Sequence, residues 1–351
     1  MKKSIDLLIL NNCPAFYKIN LYNEIAKHKE IFVVFIGYYD QVVIEENFKH
    51  QIKFPYVMLN EKQLSARSLF TSMIRLLRVV KTFHFKKIIY GGYTYPEFII
   101  TSFLTARSKN ILQTESAGET KLQGIRYFVK RILLKRYTKA LASGSMQKLM
   151  LRKMGFEKET IITNGVGMLN RENGSTKERF DRNSAEQLKF LYVGRLIELK
   201  NVRTLVDVFN ENGLSLTIAG KGELHEELEA KARPNITFAG FVDNRELATV
   251  YKNHHVLVLP SLSEAWGLVV EEAIYRGCVL LLSDRVGCLQ ELLLEPNIGA
   301  AFNPMDINSF HSAVNDIKKN YIKYKKNVDQ YDLEQKDIKQ VLAYTKEIYR
   351  D

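Results

Sequence analysis

Four residues in the second half of this chain have the types and positions that phosphate chemistry needs. Arg195 and Lys200 follow the apolar run Lys189–Val193, and Glu264 follows the run His255–Pro260. Glu272 comes next, with seven residues between the two acids. When a bond to a diphosphate breaks, negative charge grows on the departing oxygens, and a metal ion or a fixed Lys/Arg must meet it; one such donor typically contributes about 3 kcal/mol to the barrier. Arginine's planar fork suits phosphate oxygens. Gly267 lies between the two acids, where a helix would begin. Its missing side chain lets a diphosphate approach free N–H groups that carry partial positive charge. Ser263 is a candidate N-terminal cap for that helix.

Such residues need rigid strands to hold them, and the chain is patterned accordingly. In the first half, Ile5–Leu10, Ile31–Ile36, Lys86–Tyr90, Asn110–Thr114 and Ala140–Ser143 read as buried strands. Helical periodicity at Lys18–His28, Ser65–Thr82, Glu97–Arg107 and Gln147–Met154 separates most of them. The polar stretch Met168–Gln187 has no apolar periodicity and reads as a linker, taken as residues 171–187. The pattern then restarts with KFLYVG, LSLTIAG, NITFAG, HVLVLP and CVLLLS, each ending at a turn signal. Near-continuous apolar strands alternating with helices imply parallel sheets covered on both faces. The expected fold is α/β, with two doubly wound Rossmann-like domains (1–170 and 188–351) facing each other across a cleft. The last helix is free in this reading to pack back on the first domain. Ligands of such sheets sit beyond the carboxyl ends of the strands.

The length of 351 residues suits two domains, and 46% apolar with 26% charged residues is a globular composition. Asp6 interrupts the apolar opening MKKSIDLLIL, so a first buried strand is expected there rather than a signal peptide. Cys13, Cys278 and Cys288 form no CxxC pattern and read as reduced thiols in a cytosolic protein. Charge is uneven. Residues 1–170 carry 27 Lys+Arg against 12 Asp+Glu, a net of +15, and the remainder carries 24 against 27. An anionic partner facing the first domain alone is the physical implication. Lys62–Pro96 holds seven Lys/Arg and no acid, and Thr120–Phe156 is also free of acids. In the first segment Leu69, Met73, Leu76, Leu77 and Val80 share one helical face, with Arg67, Arg75 and Arg78 opposite. The stretch Arg126–Tyr137 mixes cations and apolar residues around its circumference. Docking of the first domain on an anionic membrane is therefore expected.

Other chemistries lack their motifs. GKGELH (Gly220–His225) misses the third glycine of a dinucleotide fingerprint, and no GxxxxGK[ST], HExxH or paired CxxC is present. His254 and His255 precede an apolar strand, where neighbouring side chains point to opposite faces, so a structural role is expected.

Three segments in order, LYVGRLIELKN, LTIAGKGE with ITFAGFV, and LPSLSEAWGLVVEEAIYRGCVLLLSD, resemble glycosyltransferase family 4 across residues 188–303. That family has the two-domain GT-B fold and a retaining mechanism, and carries a G-R-x4-K element and an E-x7-E motif. TESAG, SGSMQKLMLRKMG and ITNGV match more loosely in the first half. Trp266 stands where phenylalanine is usual, Ala265 where glycine is common, and Gly167 where aspartate often follows the valine.

The resemblance implies a retaining, metal-independent transferase that needs no cofactor and takes a nucleotide-diphosphate sugar as substrate, UDP ahead of GDP. It implies a donor site of Arg195, Lys200, Gly240, Glu264, Gly267, Leu268 and Glu272. Glu272 would take the ribose hydroxyls, with its neighbour Glu271 as the alternative that spacing disfavours, and Glu264 the donor sugar. Asn11, Tyr17, Gly91, Gly92 and Tyr93 are candidates on the acceptor side, and Glu115 is a candidate acid/base there. The implied acceptor is a lipid-linked glycan or oligosaccharide of the bacterial cell surface, reached from the cytoplasmic face of the membrane. Two alternatives stand beside this reading. One is a sugar-nucleotide epimerase on the same scaffold; the other is a non-catalytic nucleic-acid-binding protein, suggested by the pI near 9.3. Against the latter, no nucleic-acid module appears.

Overall fold

A computed structural model of the chain describes residues 3–39, 50–115, 124–169 and 187–350. The linker of residues 171–187, apart from Gln187, lies outside them, as does most of TESAG. The described residues form two compact units: 3–39, 50–115, 124–169 and 334–350 in unit 1, and 187–333 in unit 2.

Unit 1 is a sheet of seven parallel strands. They are β1 (Lys3–Asn11), β2 (Ile31–Phe35), β3 (Tyr56–Met58), β4 (Phe83–Gly91), β5 (Asn110–Thr114), β6 (Lys139–Ala142) and β7 (Thr160–Ile162), in the order β3-β2-β1-β4-β5-β6-β7. The short strands β3 and β7 were absent from the periodicity, because three residues are too few to show alternation. Five helices connect or cover the strands: α1 (Phe16–Ala26), α2 (Leu69–Thr82), α3 (Pro96–Leu104), α4 (Ile125–Leu134) and α5 (Ser145–Lys153). Ser68 caps α2 by accepting from the Thr71 N–H, and Pro96 opens α3, where a missing N–H costs nothing. One core lies between the sheet and α2–α5, through Leu76, Phe98, Leu134 and Met150. The other lies beneath α1, where the chain's last residues join it through Ala343, Tyr344 and Ile348.

Unit 2 is a sheet of six parallel strands. These are β8 (Lys189–Val193), β9 (Ser215–Ala219), β10 (Ile236–Gly240), β11 (Val256–Leu259), β12 (Val279–Ser283) and β13 (Gly299–Phe302), in the order β10-β9-β8-β11-β12-β13. Its helices are α6 (Val202–Asn212), α7 (His225–Lys231), α8 (Asn244–Lys252), α9 (Leu268–Tyr275) and α10 (Ile307–Gln330). α11 (Leu333–Thr345) and the short turn Glu347–Tyr349 follow, and from Glu334 onward they belong to unit 1. In each sheet the order reverses beside the first strand, between β1 and β4 and between β8 and β11. The helices that follow on either side cover opposite faces, which leaves a crevice at the strand ends for a ligand.

Candidate functional site

In unit 2 the charged candidates gather at that crevice. Arg195 follows β8, and the turn Glu198–Lys200 ends in Lys200. Glu264 follows β11, and its N–H donates to Arg285 O (3.1 Å) while its carbonyl accepts from Gly287 N–H (2.9 Å). Leu262 N–H donates to Leu199 O (2.9 Å), so the loops bearing Lys200 and Glu264 are tied through their backbones. Their side chains form an ion pair, both largely withdrawn from solvent. Glu264 and Arg195 also both act on the buried Tyr192, whose hydroxyl donates to Arg195 O (2.8 Å). Burial raises that hydroxyl's pKa, Glu264 raises it further and Arg195 opposes them.

Gly267 has φ +93° and precedes α9, whose first residue is Leu268. Ser263 is not the cap expected from the sequence: the N-cap position is Gly267, which has no side chain and lies four residues after Ser263. α9 separates the two neighbouring glutamates. Glu271 is fully buried and accepts from Trp266 Nε1 (2.7 Å). A phenylalanine could not make that bond, which gives the unusual tryptophan a partner. Glu272 stays partly accessible and accepts from the Tyr251 hydroxyl (3.0 Å). Burial pushes the Glu272 carboxyl above its ordinary range, with the Tyr251 bond partly holding it down.

The glycines of GKGELH prove structural. A Cβ on Gly222 would lie 2.2 Å from Leu196 O, and one on Gly220 would lie 1.8 Å from Gly194 O. The loop after β9 therefore presses its backbone against the loop that carries Arg195. Bonds from Gly194 N–H to Ala219 O, Leu196 N–H to Lys221 O and Gly220 N–H to Gly240 O (2.7 Å) extend the lock to Gly240. Gly222→Ala should cost about 1–3 kcal/mol, because the atom it would displace is backbone. Urea unfolding of the variant measures this, and an unchanged midpoint would show that the loops are not so packed.

In unit 1, Asn11, Tyr17 and Glu115 come together with a residue the motif reading missed. Lys18 is buried and forms an ion pair with Glu115, which also accepts from Gln113 Nε2 (2.6 Å). A signal did exist: Lys18, Tyr22 and Ile25 share the buried stripe of α1, where an unpaired lysine would be costly. Asn11 donates to the Tyr22 hydroxyl (2.7 Å). Tyr17 packs against Gly167, where a Cβ would fall 2.5 Å from the Tyr17 ring and carbonyl, so the aspartate usual after the valine has no room. Gly91 ends β4, and Gly92 opens to space. Tyr93 departs from the expected acceptor loop: it is 7% exposed, sits in the core beneath α3 and meets Met154 Sδ (3.5 Å).

His254 is a satisfied core residue, bonded to Val250 O (2.6 Å) and Thr217 Oγ1 (2.7 Å), and His255 Nδ1 accepts from Lys189 N–H. Cys13, Cys278 and Cys288 are buried and form no disulfide. Among the described residues, no three His, Cys, Asp or Glu are grouped to hold a metal ion.

Residues 174–334 match the family model for glycosyl transferases group 1. An uncharacterized 41.2 kDa protein in the cps region of Klebsiella pneumoniae is 27% identical over 188 residues, covering 52% of each chain. The chain spans about half or less of the length of the curated relatives it matches. Over nearly their whole lengths, two solved structures share its fold. The lipopolysaccharide outer core galactosyltransferase WaaB, in its apo form, superposes with a TM-score of 0.70 at 15% identity, over 97% of this chain and 99% of that one. Anabaena Alr3699/HepE in complex with UDP gives 0.70 at 14% identity, over 98% of each. The fold is GT-B.

Proposed function

We propose that this protein is a retaining, metal-independent glycosyltransferase that moves a sugar from a nucleotide-diphosphate sugar to a lipid-linked or oligosaccharide acceptor in bacterial cell-surface glycan assembly. The observation that carries the reading is the convergence of Lys200, Glu264, Arg195 and the start of α9 at one strand crevice, within the stretch that matches the family. In transfer, the bond between the sugar's anomeric carbon and the diphosphate oxygen breaks, and the acceptor oxygen takes that carbon and gives up its proton to the departing diphosphate. Lys200, Arg195 and the N–H groups of α9 meet the charge on the departing diphosphate. Glu264 accepts hydrogen bonds from the donor sugar, and Glu272 holds the ribose. Glu115, paired with Lys18, is the carboxylate assigned to the acceptor hydroxyl. UDP is favoured as the donor nucleotide by the UDP complex of HepE. The surface-glycan acceptor is supported by what WaaB is named for and by the cps location of the Klebsiella relative. Work on such an acceptor places the enzyme in the cytoplasm, at the inner face of the membrane.

Thermal shift at physiological salt with UDP, GDP and a short DNA duplex separates the classes. A nucleotide at 100 times its Kd stabilises by about 2.7 kcal/mol, and stabilisation by the duplex alone would overturn the reading. Activity with an accepted donor should survive EDTA, and NMR of the product should show the donor's anomeric configuration kept. Loss of activity that magnesium or manganese restores would refute the metal-free mechanism, and an inverted product the retaining one.

A further inference from the structure

The outer surface of α2–α5 combines two features that seldom occur together on a protein facing water. Half of the chain's large exposed apolar residues, among the described ones, lie on these four helices. Phe70 is 77% exposed, Leu104 63% and Phe128 62%. Isolated exposed apolar side chains are ordinary, but this many on one helical layer is not. The layer is also without exposed acid. Glu97 is the one acid within the four helices, and it is fully buried against Arg67 (2.8 Å).

The arrangement is ordered along the helices. On α2, Phe70 and Ile74 share the outward stripe with Arg78 and Lys81, while Ser72 and Leu76 face the core. This corrects the simple division expected from the sequence. The helix begins at Leu69, leaving Arg67 outside it in an ion pair, and Arg75 donates to Leu59 O (2.6 Å). On α3, Ile100, Phe103 and Leu104 face outward, and the exposed Arg107 follows in the short turn Arg107–Lys109 beyond the helix. On α4, Phe128 and Ile132 lead to the exposed Lys135. Each helix connects parallel strands and so runs antiparallel to them, which makes the three roughly parallel to one another. Phe70 and Phe128 lie in the first turns of α2 and α4, toward the sheet edge that carries Asn11, Gly92 and Glu115, whereas Phe103 and Leu104 end α3, so exposed apolar groups run the length of the layer beside the cations Arg78, Lys81, Arg107 and Lys135.

We infer that this face docks on an anionic lipid bilayer, with the exposed apolar side chains entering the headgroup–acyl boundary and the neighbouring cations resting on the lipid phosphates. An amphipathic surface of this kind buries its apolar groups about 5–10 Å deep, and each cation near an anionic leaflet contributes about 1 kcal/mol. Charge complementarity selects the occupant, since a second copy would bring cations against cations. This docking rests on the membrane placement in the proposed function and names the surface that makes it; attachment is measured without sugar transfer, so either can fail alone.

Flotation of the full chain with vesicles of phosphatidylcholine, with and without about 30% phosphatidylglycerol to give an anionic leaflet, is the test. The protein should float with anionic vesicles only, and less as salt rises. Phe70→Ser, Leu104→Ser and Phe128→Ser combined should lower recovery at least tenfold, as should Lys81→Gln, Arg107→Gln and Lys135→Gln combined. All six side chains are exposed, and unchanged far-UV circular dichroism verifies folding. Equal recovery with neutral vesicles, or none with either, would overturn the inference. So would a concentration-dependent dimer that the serine variant abolishes while vesicle recovery stays unchanged.

Discussion

Lys200→Ala should lower turnover about a hundredfold, and Arg195→Ala should do the same, because in the proposed mechanism each removes a cation from the departing diphosphate. The backbone around Lys200 is held independently of its side chain, through Leu262 N–H to Leu199 O and Leu196 N–H to Lys221 O. Alanine should therefore leave the loop in place and take away only the ammonium. In the unliganded protein that ammonium is paired with Glu264. A bound diphosphate must compete with Glu264 for it, and most strongly when the glycosidic bond breaks and charge on the leaving group is greatest. Lys200→Ala also leaves Glu264 without its partner. The Lys200→Ala/Glu264→Ala double variant should then lose less than the product of the two single losses, as contacting residues do. Steady-state kinetics with a UDP-sugar donor measure all three variants. Full activity in either single cation variant would remove the phosphate assignment.

The two glutamates of the motif should fail in different ways. Glu264→Ala should reduce kcat by about two orders of magnitude with a smaller change in donor KM, since its proposed contacts strengthen as the sugar gains positive character. Glu272→Ala should mainly raise donor KM, having lost bonds to a part of the donor that does not react. The sites differ physically as well as by position. Glu264 is paired with a cation in a loop pinned to Arg285 and Gly287, whereas Glu272 sits on α9 against the Tyr251 hydroxyl. Because burial raises the Glu272 carboxyl's pKa, donor affinity should begin to fall, as pH is lowered, above the pH where an ordinary glutamate titrates. A kcat defect in Glu272→Ala with an unchanged KM, and the converse for Glu264→Ala, would mean that the two roles are exchanged.

Apolar runs of five or more residues and turn signals made most strands of both sheets legible from the sequence, and with them the α/β class. Motif order singled out Arg195, Lys200, Glu264 and Glu272, because residues that follow strand ends are placed by the strands themselves. Local sequence could not supply the pairings that depend on distant segments. Lys200 meets Glu264 across 64 positions, and Lys18 meets Glu115 across 97. Tyr93 reads as a loop residue after a Gly-Gly pair, yet tertiary packing turns it into the core. The glycines of GKGELH resemble part of a nucleotide fingerprint, but what they accommodate is the backbone of Gly194 and Leu196. Composition and charge pattern gave unit 1 its basic surface. The structure then decided which of those cations are spent internally, Arg67 on Glu97 and Arg136 on the carbonyls of Ser102 and Thr105, and which stand outward beside exposed apolar groups. Periodicity reports which face of one helix is apolar, whereas burial depends on how many neighbours cover that face, and only the assembled layer sets that.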